Sequence, residues 1–405
     1  MGGILVLRGH VLPVAGAPLA DGLVVVEDGR ISYVGPAGRG PHVAATATEV
    51  DVGGGTVLPG MIDAHVHLVA DGAPDFMGSV VGSTPAALAA VSAANALRAL
   101  QAGTVAVRDL GAPGGIAIDV GREIAAGRLP GAGVSAAGRA ITAPGGHIPY
   151  LGVEVLGEEA MAAAAREELA RGAGGIKLVA TGGVLTPGAA LGNAPFAEDE
   201  LAAAAAAARD QGRWVAAHAI GNEGTRRALR AGATSVEHGY LLDDETVGLM
   251  ATTGAVLVTT QVAVARMLRN RHLVDPAVVA RAEEIHGVAV ESLRRAARAG
   301  IPIAGATDAG TPFNPHGGVA EEAALLVADI GLTTTQALRA VTATAARCLL
   351  RPDLGHLSVG APGHVVVTAG NPLDDVAALT DVRAVVLAGR QVDRPTTTPT
   401  TGGTA

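Results

Sequence analysis

Histidine, lysine and aspartate residues follow one another along this chain in an order that a metal centre could use. Each of these residues lies near the end of a predicted strand. They are His65, His67, Lys177, His218, His238 and Asp308. His65 and His67 are two residues apart, so on a strand both side chains point to one face. One such residue alone is more often a hydrogen-bonded core residue or a helix cap. Six at the same end of successive strands favour a metal centre, for which imidazole and carboxylate groups suit Zn, Mn, Co or Fe.

Lysine is almost absent from the chain. Of the 29 basic residues, 28 are arginine, and the remaining one is Lys177. Arginine stays protonated, whereas a buried lysine can lose its proton and react as a nucleophilic amine. We therefore expect a chemical role for Lys177, with chance survival of a single lysine as the alternative.

The elements that must position these residues alternate between short strands and helices. The predicted strands of the central part span residues 57–67, 103–109, 133–142, 175–181, 214–218, 234–238, 255–259 and 303–308. Eight such alternations predict an α/β protein with a (β/α)8 TIM barrel, whose catalytic groups lie at the carboxyl ends of the strands. A doubly wound sheet is the alternative, but no GxGxxG turn opens the first helix.

Both ends of the chain differ from this central part, because they contain short strands separated by turns. Asp28 and Gly29 lie between two apolar runs and predict a hairpin. Similar runs recur at 364–368 and 382–387. The sequence therefore predicts a small accessory β-sandwich from residues 1–58 and 349–393, a barrel over 59–348, and a disordered tail over 394–405 that is rich in Thr, Pro and Gly.

Composition excludes several classes of function. The 405 residues carry 29 basic and 38 acidic side chains, and the formal net charge of −9 argues against nucleic acids and anionic membranes as partners. Aromatic residues make up only 2%, which argues against stacking on nucleic-acid bases. The single Cys348 excludes an intrachain disulfide, and no apolar run reaches the length of a membrane span. We expect a soluble, cytoplasmic protein.

Five segments carry a resemblance to a known family. They are residues 59–67, 175–177, 217–219, 237–239 and 307–310. In this order they resemble the metal motifs of the amidohydrolase superfamily, and the resemblance covers nearly the whole chain. Residues 104–111 and 145–147 are similar to the imidazolonepropionase-like branch, which includes Xaa-Pro dipeptidases and amidases that act on N-acyl or N-carbamoyl amino acids.

The resemblance implies a hydrolase with two divalent metal ions, zinc being the expected one. By analogy, the ligands are His65, His67 and Asp308 for the more buried ion, His218 and His238 for the more exposed ion, and Lys177, carboxylated by carbon dioxide, as the bridge. A hydroxide that bridges the ions would attack an amide or peptide bond. Asp308 would act as general base and then as the acid for the leaving amine, so the expected catalytic residues are Asp308, His238 and Lys177.

The resemblance also implies a small-molecule substrate with an amide and a carboxylate, either a Xaa-Pro dipeptide or an N-acyl or N-carbamoyl amino acid. Relatives often assemble into multimers, so we expect a homo-oligomer. The candidates for substrate binding are His147, Tyr240, Arg108 and His316. Each has a structural alternative, and Arg108 is as well placed to brace the ligands as to touch substrate.

Other functions compete with this interpretation. A deaminase or cyclic-amide hydrolase with one metal, such as imidazolonepropionase, needs no lysine bridge, so Lys177 argues against it. Lactone and phosphotriester hydrolysis remain open, because the same hydroxide attacks those centres. A non-catalytic scaffold usually lacks one of the ligands, whereas all six positions are filled here.

Overall fold

Strands and helices alternate along most of the chain in a computed structural model that describes residues 3–185 and 191–394. The strands are β1 (Ile4–Val11), β2 (Leu19–Glu27), β3 (Arg30–Pro36), β4 (Thr48–Val50), β5 (Thr56–Pro59), β6 (Met61–Val66), β7 (Thr104–Asp109), β8 (Gly133–Ala136), β9 (Ala140–Thr142), β10 (Gly152–Glu154), β11 (Gly175–Val179), β12 (Trp214–Ala219), β13 (Ser235–His238), β14 (Val256–Thr259), β15 (Ile303–Gly305), β16 (Val365–Thr368), β17 (Val382–Leu387) and β18 (Arg390–Gln391). The helices are α1 (Phe76–Val81), α2 (Pro85–Gln101), α3 (Ile116–Ala125), α4 (Glu158–Arg171), α5 (Glu198–Arg209), α6 (Asn222–Ala231), α7 (Asp244–Thr253), α8 (Gln261–Arg269), α9 (Pro276–Arg298), α10 (Val319–Leu325), α11 (Thr334–Ala340) and α12 (Ala343–Cys348).

The two ends of the chain pair in one eight-stranded sheet. Its order is β18-β17-β16-β5-β1-β2-β3, and β4 pairs with β1. The hairpin predicted at Asp28 and Gly29 connects β2 to β3, and both residues have the positive φ of a tight hairpin turn, 48° and 78°. A second sheet facing this one is not seen over the described residues, so the β-sandwich and the domain bounds stay predictions. Of the predicted tail, only Arg394 lies within the described residues.

The central part of the chain forms two parallel sheets. Their orders are β6-β7-β8 and β10-β9-β11-β12-β13-β14-β15. Backbone hydrogen bonds of 2.8 Å join the sheets at both edges, from Gly174 N–H to the carbonyl of Ala136 and from Asp308 N–H to the carbonyl of His65. The architecture is therefore α/β with parallel sheets.

The predicted barrel does not close as one continuous ladder over the described residues. The single strand predicted over 133–142 is broken into β8 and β9, because the backbone turns at Gly138, where φ is 73°. β8 consequently pairs in one sheet and β9 in the other. At the opposite edge, β15 ends at Gly305, and one isolated bridge joins Val66 to Ala309.

Alanine-rich helices cover the parallel sheets. α4 packs against α5, whose buried residues are Leu201, Ala204, Ala205 and Ala208. Small side chains let these helices approach closely, which suits a chain with only 2% aromatic residues. Over the residues described, the structure contains no helix with the length and apolar character needed to cross a membrane.

Candidate metal centre

The six residues predicted as metal ligands meet at the carboxyl ends of the parallel strands. We call them the ligand ring; they are His65, His67, Lys177, His218, His238 and Asp308, and all six line one small cavity. They come from β6, β11, β12 and β13 and from the segments after β6 and β15. Because parallel strands end at one edge, residues far apart in the chain are brought to one place.

The donor atoms of the ligand ring converge closely. Asp308 Oδ1 lies 3.3 Å from His65 Nε2 and also 3.3 Å from His67 Nε2. One potential ligand atom from each of His65, His238 and Asp308 lies within 4.8 Å of the other two. The ring centroids of His218 and His238 are 4.7 Å apart. The arrangement has the dimensions of a centre that surrounds metal ions with nitrogen and oxygen donors.

The backbone is left-handed at two members of the ligand ring. His238 has a φ of 71° and Asp308 a φ of 55°, in a region that residues other than glycine seldom adopt. Gly310, two residues after Asp308, has a φ of 103°, and a Cβ there would lie 2.6 Å from the carbonyl oxygen of His67. Such strain persists where the surrounding structure fixes the side chain in one place.

A buried ion pair lies beneath His65. Glu237 Oε2 accepts a hydrogen bond from His65 Nδ1 at 3.0 Å, and Glu237 Oε1 accepts from Arg108 at 2.8 Å and from Ser235 at 2.6 Å. Glu237 and Arg108 are both 0% exposed. Burial alone would raise the pKa of Glu237, but Arg108 and His65 outweigh it and hold that pKa well below its ordinary value. The carboxylate therefore keeps the proton on Nδ1, and Nε2 of His65 is left for a metal.

Further hydrogen bonds orient the other imidazoles. His67 Nδ1 lies 3.2 Å from the carbonyl oxygen of Gly111, and His238 Nδ1 lies 2.8 Å from Thr260 Oγ1. His218 uses Nε2 instead, 3.0 Å from the carbonyl oxygen of Gly182. Each of these histidines has one nitrogen fixed by the protein, so that the other nitrogen can face the cavity.

The charges at the centre follow from burial and from close neighbours. Burial lowers the pKa of His65 to about 4, so its imidazole is neutral at neutral pH and can serve as a ligand. Burial favours a higher pKa for Asp308, but the attraction of His65, His67 and His238 outweighs it and leaves the pKa well below the ordinary value. The carboxylate of Asp308 therefore stays ionised among the imidazoles that surround it.

The surroundings of Lys177 indicate whether this set of donors fits metal ions. Its side chain is 1% exposed, and Nζ has no hydrogen-bond partner among the described residues. Burial lowers its pKa to about 8, although the carboxylates of Glu237 and Asp308 favour the charged amine. A buried amine without a partner is costly unless it is modified or binds another group. A donor set of imidazoles, one carboxylate and this buried amine fits divalent metal ions.

The candidates for substrate binding separate into two groups. The ring centroid of His147 lies 4.5 Å from that of His218, and the hydroxyl of Tyr240 lies 2.8 Å from Thr260 Oγ1; both residues line the cavity above the ligand ring. Arg108 instead lies beneath His65 and donates to Glu237, which favours the bracing role. His316 is also away from the lining, with Nε2 3.0 Å from the carbonyl oxygen of Ala70.

Among the residues that support the ligand ring, sequence reasoning weighed a bracing role for Arg108 and Asp109 but missed Glu237 and Thr260. Glu237 directly precedes His238 and shares a strand face with Ser235, which was the available signal. Asp109, at the end of β7, accepts from Leu68 N–H at 2.7 Å and from Gly111 N–H at 3.2 Å, and so holds the segment that carries His67. Thr260 had no recognisable signal, because it is one of many threonines.

Comparison with known proteins agrees with this geometry. The model of the Amidohydrolase family matches residues 56–392. Ochratoxinase of Aspergillus niger is 28% identical over 94% of this chain and 84% of its own length. Its crystal structure has a TM-score of 0.86 at 26% identity, covering 98% of this chain and 96% of that one.

Two solved peptidases are similar over nearly the whole chain. A Xaa-Pro dipeptidase with bound methionine in its active site has a TM-score of 0.87 at 28% identity, covering 96% of this chain and 100% of that one. A prolidase complexed with N-methylphosphonate-L-proline has a TM-score of 0.87 at 29% identity, covering 97% and 100%. Since the family match spans most of the chain, the chain belongs to the amidohydrolase family and is a hydrolase.

Proposed function

We propose that this hydrolase cleaves an amide bond of a small molecule with the help of two divalent metal ions, zinc being the first choice. One observation carries the proposal. The amine of Lys177 lies inside a ring of histidine and aspartate donors and has no hydrogen-bond partner among the described residues. With a pKa of about 8, this amine is partly neutral at neutral pH. The neutral amine can add to carbon dioxide, which forms an N–C bond and releases one proton. The resulting carbamate is an anionic ligand.

Each member of the ligand ring then has a defined role in metal binding. We assign His65, His67 and Asp308 to a more buried ion, His218 and His238 to a more exposed ion, and the carboxylated Lys177 to both. Divalent ions in such a set lower the pKa of water and polarise a carbonyl oxygen. We infer that the two parallel sheets act as one (β/α)8 barrel over residues 59–348, and that residues 1–58 and 349–393 form an accessory β-sandwich.

Asp308 is our candidate for the group that moves the proton. Its low pKa leaves the carboxylate ionised at neutral pH, so that it can accept a proton from the attacking water. The same carboxyl can then deliver that proton to the nitrogen of the leaving amine, which would otherwise depart as an unstable anion. Oδ1 contacts both His65 and His67, which holds the carboxylate at the centre of the ring.

His147 and Tyr240 are our candidates for orienting the substrate. Burial lowers the pKa of His147 well below its ordinary value and raises that of Tyr240, so both are neutral at neutral pH. They can therefore form hydrogen bonds to a substrate oxygen without adding a charge to the cavity. The similarity to a Xaa-Pro dipeptidase and a prolidase supports a Xaa-Pro dipeptide, and the similarity to ochratoxinase supports hydrolysis of an amide bond; an N-acyl or N-carbamoyl amino acid is the alternative substrate class.

The test combines metal analysis with a substrate screen. Dipeptides and N-acyl amino acids are assayed on the same sample in which bound metal is quantified by mass spectrometry, and ¹³C NMR after ¹³CO₂ exposure detects the carbamate. We expect about two ions per chain, a carbamate signal that Lys177→Ala removes, and loss of turnover in His65→Ala and Asp308→Ala with the fold retained. About one ion per chain, with Lys177→Ala still active, would favour the alternative with a single metal.

A further inference from the structure

The cavity above the ligand ring is lined by two chemically different groups of residues. The polar group consists of His147, His218, His238, Asp308 and Thr311, together with Tyr240, whose hydroxyl is polar although its ring packs among the apolar residues. The apolar group, which we call the α8 wall, consists of Val184, Leu185, Ile220, Ala263, Val264 and Met267. The cavity has a volume of about 50 Å³ and an open mouth, so it suits a small substituent whose longer end extends through the mouth.

Helix packing holds the α8 wall in place. Val264 and Met267 lie one turn apart on α8 and are 6% and 3% exposed. Behind them, Ile285 and Ala289 of α9 join the same apolar cluster, which is separate from the main core between the sheets and helices. The wall is therefore a preformed apolar surface that belongs to folded helices.

The arginine side chains near the α8 wall already have hydrogen-bond partners. Arg266, although on α8, donates to Glu321 at 2.6 Å and to Asn314 at 2.9 Å. Arg281 of α9 donates to the backbone carbonyl oxygens of Gly183 and Val184. Among the described residues that line the cavity, Asp308 of the ligand ring has the one charged side chain, and none belongs to the α8 wall.

We propose that the α8 wall is a binding subsite for an uncharged, apolar substituent of the substrate, namely an alkyl chain or a phenyl ring attached to the amide. The inference rests on the proposed amide hydrolysis and extends it to a substrate class. Each methylene group removed from water against this wall strengthens binding about fourfold. A charged substituent would lose its hydration there without gaining a partner, and so is rejected.

The first experiment measures kcat/KM of the metal-loaded enzyme with two series of substrates. One consists of N-acylglycines from acetyl to octanoyl, and the other of N-acetyl amino acids with alanine, leucine or phenylalanine side chains. We expect a rise of about fourfold per methylene in the series whose variable group faces the wall. Adipoylglycine, which resembles hexanoylglycine but ends in a carboxylate, should be at least about 100-fold poorer. Turnover with no rise in either series would overturn the proposal.

A second measurement separates this proposal from the proposed function. Calorimetry of the metal-loaded enzyme with alkyl hydroxamates, from acetohydroxamate to octanohydroxamate, reads binding without turnover. If no amide is hydrolysed but affinity still rises about fourfold per methylene, the proposed function fails and the subsite stands. If affinity does not depend on chain length, the subsite is overturned whatever the turnover.

Three variants identify the wall as the surface responsible. Ala263→Leu fills part of the cavity and should lower kcat/KM for octanoylglycine at least about tenfold more than for acetylglycine. Met267→Lys should abolish the dependence on chain length, and Ala263→Leu provides the test if Met267→Lys does not fold. Val288→Lys is the matched control, because Val288 is 53% exposed on α9 and outside the cavity. An unchanged chain-length dependence in Ala263→Leu would overturn the proposal.

Discussion

The ligand ring and the α8 wall face the same cavity but are held in place by different forces. In the ring, hydrogen bonds fix the imidazoles, as Glu237 does for His65 and Thr260 does for His238. In the wall, Val264 and Met267 are held by apolar contacts with α9. Hydrogen bonds are directional, whereas apolar contacts depend mainly on buried area.

This difference separates chemistry from selection of the substrate. A displaced ring residue should slow the reaction of every substrate, because the reacting atoms depend on its position. A changed wall residue should alter the ratio between substrates, because it touches only the part that varies among them. Each prediction below tests whether a residue belongs to one region or the other.

The largest effect is expected from Asp308→Asn. Asparagine keeps the size of the side chain but cannot accept the proton, so kcat should fall about 10²–10⁴-fold. The factor should be the same for acetylglycine and octanoylglycine, as steady-state kinetics can establish. Asp243→Asn is the control, because Asp243 caps α7 away from the cavity and asparagine also caps helices. A loss that differs between the two substrates would contradict the separation.

Glu237→Gln should weaken metal binding about 10–100-fold, because glutamine no longer holds the proton on His65 Nδ1 as the carboxylate does. Competition with a chelator measures this affinity. Glu168→Gln is a matched control, since Glu168 is also 0% exposed and accepts from Arg139 at 2.6 Å but contacts no member of the ring. Both variants should lose unfolding free energy, and equal metal affinities in the two would assign Glu237 a purely structural role.

Tyr240 connects the two regions, because its ring packs in the cluster behind the wall and its hydroxyl contacts Thr260. Tyr240→Phe keeps the ring and removes the hydroxyl, so kcat/KM should fall only about 2–10-fold. The dependence on chain length should be unchanged in the acyl series. If that dependence changes as well, the hydroxyl also contributes to the shape of the wall.

Glu322, which anchors the start of α8, is expected to affect stability and not turnover. Its carboxylate accepts from Thr259 Oγ1 at 2.7 Å and from Val262 N–H at 2.8 Å, and burial raises its pKa from 4.5 to about 7. Between these values the folded protein holds a proton that the unfolded chain releases, so the free energy of unfolding falls as pH rises. The fall is at most about 1.4 kcal/mol per pH unit.

Denaturant unfolding of the wild type and of Glu322→Gln between pH 4.5 and pH 8 measures this contribution. The difference between the two proteins isolates Glu322, which is needed because burial also raises the pKa of Asp63 to about 7. The variant should lack one part of the decrease. Parallel pH profiles for the two proteins would show that Glu322 does not titrate in this range.

Local patterns in the sequence predicted much of this fold. The strand over 382–387 and the hairpin at Asp28 and Gly29 agree with the predicted positions, because turn-forming residues mark them. The strand predicted over 303–308 ends at Gly305 instead, since the backbone turns into the left-handed region at Asp308. Such turns depend on tertiary contacts that a short pattern does not contain.

Only part of the candidate site could be predicted from the sequence. The ligand ring could be found because its residue types are rare at strand ends and recur in a known order. The ion pair between Arg108 and Glu237 could not, because the two residues are 129 positions apart and their contact depends on how the strands are arranged. The wall was missed for another reason, since valine, methionine and alanine on a helix also fit an ordinary core.

The single lysine has a practical consequence. In a chain with one side-chain amine, a reagent that acylates primary amines can react only with Lys177 and with the α-amino group. Because Lys177 is 1% exposed and is proposed to be carboxylated, its labelling requires the centre to open and the carbamate to be lost. The mass of the labelled protein would therefore report, without any engineered probe, how often the site around Lys177 becomes accessible to solvent.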